Sequence, residues 1–456
     1  MKFLLNILVF LTISLSLHSQ NWQKVGGVND RVQKIKHDLS DPNRIIVSSN
    51  LFGIDLQSTE LVPGYILYTK ASGIQISTDG GVSFTENISI DSVFVFDLVQ
   101  DTDNNQVWYA SVAYENDRII IKSSDNCNTW DFEYSNCEGT DIIHNLVYTN
   151  GKMFGGAVNT AKGIYSSDDN FVSCNQNADI NVSIRSFSYS EKFNTLYFAA
   201  DNRGKPGVYT SEDLGENWSK KFYGIDDLRI HTVHRSEWYD DMYLCGADYV
   251  EIDKSTTPKG LYRTTDHGQS WQATSIQDVY VYDIVAHPKE PLLLAAACGK
   301  DGVYISGNGG FTWHEKNEDL SDTIDIRKVF FPSLDKSKSG FRLLAGSYGD
   351  GMFKTENIDP DIQSIFFNNS PSQKLDIFPN PIHNKLNINF DSELTQDIEI
   401  TITNLIGEKI LSETKKVNKG NNVIQLNDLS IINSGTYFIY IKQKNNQIFV
   451  NKFSKK

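Results

Sequence analysis

Ser77-Thr78-Asp79-Gly80-Gly81-Val82-Ser83-Phe84 is the stretch whose reading decides the fold. A hydroxyl, a carboxylate, a glycine and an aromatic ring are set out in it as Ser-x-Asp-x-Gly-x-x-Phe. An Asp side chain accepts hydrogen bonds from backbone N–H groups a few residues on, which folds the chain into a tight turn. Glycine supplies the positive φ that such a turn needs. The hydroxyl braces the start, and the aromatic re-enters the core on the following strand. The stretch is therefore a hairpin turn, and its carboxylate is structural.

The pattern recurs. Ser211 to Trp218 carries Asp213 and Gly215, and Thr264 to Trp271 carries Asp266 and Gly268. Ser306 to Trp313 has Asn308 in the acid position, and Ser123 to Trp130 keeps Asp125 but has Cys127 where glycine belongs. In a worn copy Ser167 and Asp169 survive, with Phe171 and Cys174 in place of the glycine and the aromatic. A last copy keeps Gly351, Phe353, Thr355 and Asn357 and stops. The acid positions are 79, 125, 169, 213, 266, 308 and 357. Each period holds four strand-like stretches, as in Val281–Val285, Leu292–Ala297, Gly302–Ser306 and Trp313 onward. Four strands per period of this length describe a propeller blade, with an open solenoid or a sandwich as alternatives. The fold predicted is all-β: a seven-bladed β-propeller over 20–358, then a small C-terminal β-sandwich. The last repeat lacks its outer strand, and Trp22-Gln23-Lys24-Val25 looks like the strands that begin at Trp218, Trp271 and Trp313. Residues 21–26 are thus expected to complete the last blade beside Gly351–Thr355, leaving no edge open.

These repeats resemble the Asp-box (bacterial neuraminidase) repeats of sialidases, sortilin-type receptors, xyloglucan hydrolases and photosystem assembly propellers. The resemblance covers about residues 22–358. It implies the fold and leaves the function open, because those families do different chemistry on one scaffold.

Residues 359–373, with Asp359-Pro360-Asp361 and Asn368-Asn369-Ser370-Pro371-Ser372, form a polar linker. Beyond it come Ile377-Phe378-Pro379-Asn380-Pro381, the alternating strand Lys385–Phe390, Ile398–Leu405 with a turn at Gly407, Gly420–Leu429, Gly435–Ile441 and Phe449–Phe453. Short alternating strands at this spacing make a small sandwich. In that order they resemble the type A sorting domain of the type IX secretion system of secreted Bacteroidetes proteins, an Ig-like fold, over residues 374–456. The resemblance implies Pro379, Asn380, Pro381, Gly407, Gly435 and Tyr437 as the sorting motif and the secretion machinery as a partner. It also implies passage through the periplasm to the cell surface or medium. A carbohydrate-binding or fibronectin-like module is the alternative reading.

The N-terminus agrees with export. Lys2, an apolar run Phe3–Leu17 and small polar residues to Ser19-Gln20 read as a signal peptide over 1–19. The run is short and interrupted for a membrane span, and no later stretch is long and apolar enough for one. The formal charge is −15, although residues 374–456 carry 11 Lys against 8 Asp and Glu. The acidity therefore sits in the repeats, which makes nucleic acid a poor partner. Of five cysteines, Cys245 and Cys298 lie in apolar strand patterns as small buried hydrophobes, and Cys127 with Cys137 could form a local disulfide.

No G-x-S-x-G elbow, Walker A loop, H-E-x-x-H, EF-hand loop or zinc-type Cys/His spacing occurs, so no metal and no cofactor are expected. The Arg-Ile-Pro of sialidases is absent. Aligning the first strand of each repeat places Gln33, Phe96, His144, Arg185, His231, Tyr282 and Arg327 in one slot facing the central channel. Flat rings stack on sugars, and guanidinium forks chelate carboxylates. His144, Arg185, His231, Tyr282 and Arg327 are therefore the candidate ligand contacts, against a solvated channel that the same side chains merely fill. On this reading the two arginines serve a ligand, and the fold does not depend on them. Asp97, Asp283 and Asp325 are candidate acids should the protein be a glycoside hydrolase, although each is as readily a strand-end residue. The first reading is a non-catalytic secreted binding or scaffold propeller for a glycan or protein. The alternatives are an Asp-box glycoside hydrolase and a receptor-like or assembly-factor propeller.

Overall fold

The Ser/Thr-x-Asp stretches form the turns that their side chains dictate. Ser77 donates to Asp79 Oδ1 at 2.7 Å, and its oxygen accepts the Gly81 N–H at 2.8 Å. Asp79 Oδ1 accepts the N–H groups of Val82 and Ser83 at 2.9 and 3.0 Å. Asp125, Asp169, Asp213 and Asp266 bond their turns in the same way. At the copy holding Asn308, which lies outside the described residues, Ser306 Oγ still accepts the Gly310 N–H at 2.9 Å. Burial, the largest single influence, would raise the Asp79 pKa, but the Ser83 hydroxyl and N–H, the Ser77 hydroxyl and the Val82 N–H together bring it down to about 2. The turn thus keeps its charged acceptor above the ordinary carboxylate pKa of about 4 and loses it only as pH falls through about 2.

Each turn needs two consecutive left-handed residues. Gly80 and Gly81 take φ of 70° and 84°, and Leu214 and Gly215 take 53° and 88°. A Cβ on Gly81 would lie 2.7 Å from Leu344 of the neighbouring sheet, so the turn also packs close across a sheet junction. In the copies without glycine, Cys127 and Phe171 themselves adopt φ of 67° and 69°, with their side chains fully buried. Such a backbone costs a β-carbon-bearing residue about 1–2 kcal/mol. For Phe171 the ring is accommodated by the neighbouring strand, where a Cβ on Gly155 would meet the ring at 3.1 Å.

The structure is a computed structural model and describes residues 22–358 and 376–456. Within those spans it leaves out 29, 51–72, 88–89, 91–92, 115–116, 133–142, 159–162, 178, 202–205, 222–224, 226–227, 237–242, 251–259, 265, 289, 291–292, 308, 311, 333–340, 393, 405–408, 428 and 443–447. The expected leader and linker, Cys137 and Gly407 therefore lie outside the described residues. Among the described residues, seven antiparallel sheets follow one another up to Ile358, with no α-helix. The first has strands Arg31–His37, Ile45–Asn50, Ile74–Ser77 and Thr85–Glu86 in that order. The others repeat it, except that the second has three strands. The last sheet takes its outermost strand from the N-terminus, Gln23–Val25. Gln23, Lys24 and Val25 oppose Lys354, Phe353 and Met352, which is the pairing expected from Trp22 and its neighbours.

The first strands of consecutive sheets lie side by side, and Ile326–Phe330 of the last sheet lies against Arg31–His37 of the first, so the circuit closes. Buried apolar clusters fill every junction, and Val25, Leu344 and Met352 meet Val32, Ile45 and Phe84 at the seam. Trp22 is buried on the other face of the last sheet, with Phe353 and with Ala295 and Ile305 of the sheet before it, and its indole N–H donates to Lys316 O at 2.7 Å. These sheets on their circular arrangement are a β-propeller. Beyond them, Asp376–Phe378, Leu386–Ser392 and Gly420–Leu426 form one sheet. The other contains Lys409–Val417, Gln396–Asn404, Gly435–Lys442 and Ile448–Lys455. One core of Ile388, Phe390, Ile400, Ile402, Ile439 and Phe453 lies between them. The strand Lys409–Val417 has no counterpart in the sequence reading; it is an edge strand whose alternation is blurred because both faces are partly exposed.

Cys245 and Cys298 are fully buried, as their apolar setting implies. The local Cys127–Cys137 bridge is not made: Cys127 is a free, buried thiol, while Cys174 is disulfide-bonded. Burial raises the Cys127 pKa and removes thiolate reactivity.

Two substitutions separate the seam from the turns. Trp22→Ala should lower the stability of the propeller by about 3–5 kcal/mol through loss of a buried indole. Asp213→Ala should lower it by about 1–2 kcal/mol through loss of turn hydrogen bonds. Urea denaturation followed by tryptophan fluorescence measures both, and a neutral Trp22→Ala would contradict closure through the N-terminus.

Candidate functional site

A strand that keeps perfect register sends alternate side chains to opposite faces. The first strands of the propeller break register at a shared place, and Leu228–Arg235 also slips once more before it. Val32 opposes Ser49 while Lys34 opposes Ser48, so Gln33 is an extra residue. The same slip isolates Phe96 between Val95 and Asp97, and His144 between Ile143 and Asn145. It isolates Arg185 between Ile184 and Ser186, His231 between Ile230 and Thr232, and Arg327 between Ile326 and Lys328. In the remaining sheet the Tyr282 N–H bonds Ala297 O at 2.8 Å while Asp283 opposes the same Ala297. A β-bulge re-aims a side chain. Here it turns seven side chains into one cavity, lined by Gln33, Phe96, His144, Arg185, His231, Tyr282 and Arg327.

The bulge also brings in the residue that follows. Lys34, Asn145 and Lys328 line the same cavity, and a deeper one continues past them to Lys36, His234 and Asp283. Apart from Asp283, already a candidate acid, these residues escaped the sequence reading, as did Arg31 and Tyr348. Their signal was a polar residue where strict alternation calls for an apolar one.

Aromatic and cationic groups form two arcs around the mouth. In one, Phe94, Phe96 and His144 stack in series with ring centroids 4.7 Å apart at each step. In the other, Arg31 and Arg327 lie over the Tyr348 ring at 4.2 and 3.7 Å. Arg327 also lies 4.7 Å from the Tyr282 ring, which meets His231 edge-on at 5.1 Å. Gly299 permits this approach, since a Cβ there would fall 2.9 Å from the Tyr282 ring. His144 is neutral: burial, then Arg185, Lys34 and Arg31, bring its pKa down to about 3 against the opposing pull of Asp97.

The arginines are not free. Arg185 Nε donates to Asp201 Oδ2, and Arg229 donates to the same oxygen at 3.0 Å. Arg327 chelates Asp325 through Nε and Nη2 at 2.9–3.2 Å. The expectation that the arginines leave the fold untouched therefore needs correction, because Asp201 is 3% exposed and depends on Arg185 and Arg229 for its charge.

The candidate acids are also engaged. Asp97 lies 3.2 Å from the Lys34 ammonium and 3.7 Å from that of Lys36, and accepts the N–H groups of Leu98 and Leu146 at 2.8 and 2.9 Å. Burial would raise its pKa, but Lys34, Lys36 and those N–H groups bring it below the usual value. Asp283 accepts the N–H groups of Ile284 and Val329 at 3.1 and 3.3 Å. With Asp325 held by Arg327, each carboxylate acts as an acceptor within the wall of the channel.

In the sandwich, Tyr437 donates its hydroxyl to Asn433 O at 2.9 Å and stacks on Phe453. Asn380 Oδ1 accepts the Ser454 N–H at 2.9 Å, so the Pro379-Asn380-Pro381 segment is bonded to the final strand. Among the described residues no helix is long and apolar enough to cross a membrane.

Fold and site together define a β-propeller protein with an appended export domain. Residues 376–456 match the secretion system C-terminal sorting domain family. This type IX sorting domain indicates export to the medium or the cell surface, as in Bacteroidetes. No curated protein matches the chain. Among solved structures, YCF48 bound to D1 peptide is 12% identical, with a TM-score of 0.51 over 75% of this chain and 96% of that one. PorZ, an essential bacterial surface component of the type IX secretion system of Porphyromonas gingivalis, is 12% identical, with a TM-score of 0.52. The match covers 94% of this chain and 59% of PorZ. The GH74 xyloglucanase of Xanthomonas campestris is 11% identical, with a TM-score of 0.55 over 82% of this chain and 59% of that one. At these identities the likeness is one of fold.

Two measurements probe the site without a ligand. Arg185→Ala should lower stability by about 1–3 kcal/mol, because Asp201 loses one of its two charged donors. The His144 ring should hold its neutral NMR shifts from pH 8 down to pH 5, and titration near the ordinary value of about 6.5 would contradict the buried setting.

Proposed function

We propose that the chain is a secreted or surface-exposed binding protein, a seven-bladed propeller of the Asp-box type with an Ig-like sorting domain. Its channel mouth takes a glycan or a protein ligand without chemical turnover. The observation that carries this reading is the convergence of the bulge residues on one mouth. Phe96, His144, Tyr282, Arg185 and Arg327 come from five different sheets and offer ring faces and guanidinium groups to one cavity. Convergent aromatic and charged groups in a concave site are the usual setting of a ligand. Arg185, Arg327, His144, His231 and Tyr282 are the contacts proposed.

The glycosidase alternative is weaker on the same residues. A hydrolase of this kind needs a carboxyl group free to give or take a proton. Asp97, Asp283 and Asp325 are each bonded into the wall, and Asp97 is held in its charged form. The PorZ and YCF48 structures lend a precedent for propellers with surface or peptide-binding roles, and that of GH74 for catalysis.

A glycan array probed with the purified protein, followed by a turnover assay on every hit, tests the reading. Retention of at least one glycan or peptide without product is the expected result, and product formation would overturn the non-catalytic part. Deleting residues 374–456 should trap the propeller in the periplasm. A truncated protein that still reaches the medium or the surface would overturn the sorting role.

A further inference from the structure

Among the described residues, one cation of the channel wall has neither a hydrogen bond nor an ion pair. Lys34 and Lys36 face Asp97, Arg185 faces Asp201 and Arg327 faces Asp325. Arg31 lies over the Tyr348 ring and donates to its hydroxyl at 3.3 Å. Lys328, among the described residues, has neither a hydrogen bond nor an ion pair, although it lines both the mouth and the deeper cavity. The Asp283 carboxylate favours its charge through space, but its oxygens are bonded to the backbone of Ile284 and Val329. Burial, reinforced by Lys34 and Lys36, lowers the Lys328 pKa below its ordinary value.

An ammonium that lines a cavity and bonds no group of the fold is open to an anion from solution. Lys328 follows the bulge residue Arg327, which sets it on the wall that both cavities share. We infer that Lys328 is the anchor for a carboxylate on the channel's ligand, and that the neighbouring arginines, already matched, orient the ligand without carrying its charge. The carboxylate enters from the mouth, passes the ring faces of Tyr282 and Phe96, and meets Lys328 where the two cavities join. Gln33 lies on the adjacent first strand and lines the same cavity, offering an amide to a second oxygen. The ligand class is a carboxylate-bearing sugar. This rests on the binding function proposed above and adds the chemistry that the site selects.

Trigalacturonate and its methyl ester probe the charge, because esterification removes it and adds only a methyl group at each carboxyl. A charged hydrogen bond in a partly dry site corresponds to about 10–100-fold in affinity. Calorimetric titration of the whole protein should show the acid bound at least about 10-fold more tightly than the ester. In Lys328→Met that preference should collapse to within about twofold, while Lys328→Arg should retain most of it. The Tm of Lys328→Met should stay close to that of the wild type, since the ammonium bonds no group of the fold. A preference that survives in Lys328→Met overturns the assignment, as does a clear fall in Tm, which would make the ammonium structural. Equal affinity of the wild type for acid and ester also overturns it while leaving glycan binding intact. Binding of neither form, with an acidic peptide bound instead, moves the ligand to another class and overturns the sugar.

Discussion

Closure of the circuit is the constraint on which the rest depends. A sheet in the propeller buries both faces only if a neighbour stands on each side, so a chain with two ends must bring those ends together. Gln23–Val25 does this by pairing with Met352–Lys354, and Trp22 fills the junction behind it. The strand edge left by the last repeat is covered, and an uncovered edge is a template for aggregation. Once the circuit is closed, the first strands have only one open side, the channel.

The channel's chemistry then follows from a register slip. Perfect pairing would send the residues around Gln33 or Arg327 alternately into the wall and into the junctions. One extra residue per first strand breaks this alternation, so that both the extra residue and its successor line the cavity. Two tiers result. The upper carries rings and guanidinium groups, and the lower carries lysines and carboxylates that bond to one another and to the backbone of the next sheet. Asp97 illustrates the double duty: it neutralises Lys34 and fixes the first strand of the following sheet through Leu146. The wall is therefore stiff as well as charged.

The turns on the periphery have the opposite character. Their carboxylates are consumed locally, by N–H groups within four residues, and they tolerate wear. Cys127 and Phe171 show how far this goes, since a side chain enters a left-handed position meant for glycine and the neighbouring strand makes room. A repeat can lose its glycine and remain a blade where the Ser/Thr–Asp pair still holds the loop's N–H groups, as at Ser123–Asp125 and Ser167–Asp169.

The sequence by itself determined the turns, the all-β architecture, the seam and the alignment of the slot, because each is written in contacts between residues close in the chain or repeated along it. Asp79 and Ser83, or Asp213 and Asn217, are four residues apart, and their hydrogen bonds can be inferred from spacing alone. The edge strand Lys409–Val417 was lost because half-exposed positions carry no clear alternation. Only the tertiary structure decided which charges in the channel are already matched. Arg185 meets Asp201 from a different strand, Lys34 meets Asp97 from a different sheet, and Asp283 faces Val329 across a sheet junction. Such pairs depend on where the ring brings strands together, which spacing does not encode. That is why the sequence pointed to the arginines, while among the described residues Lys328 is the channel cation with neither a hydrogen bond nor an ion pair.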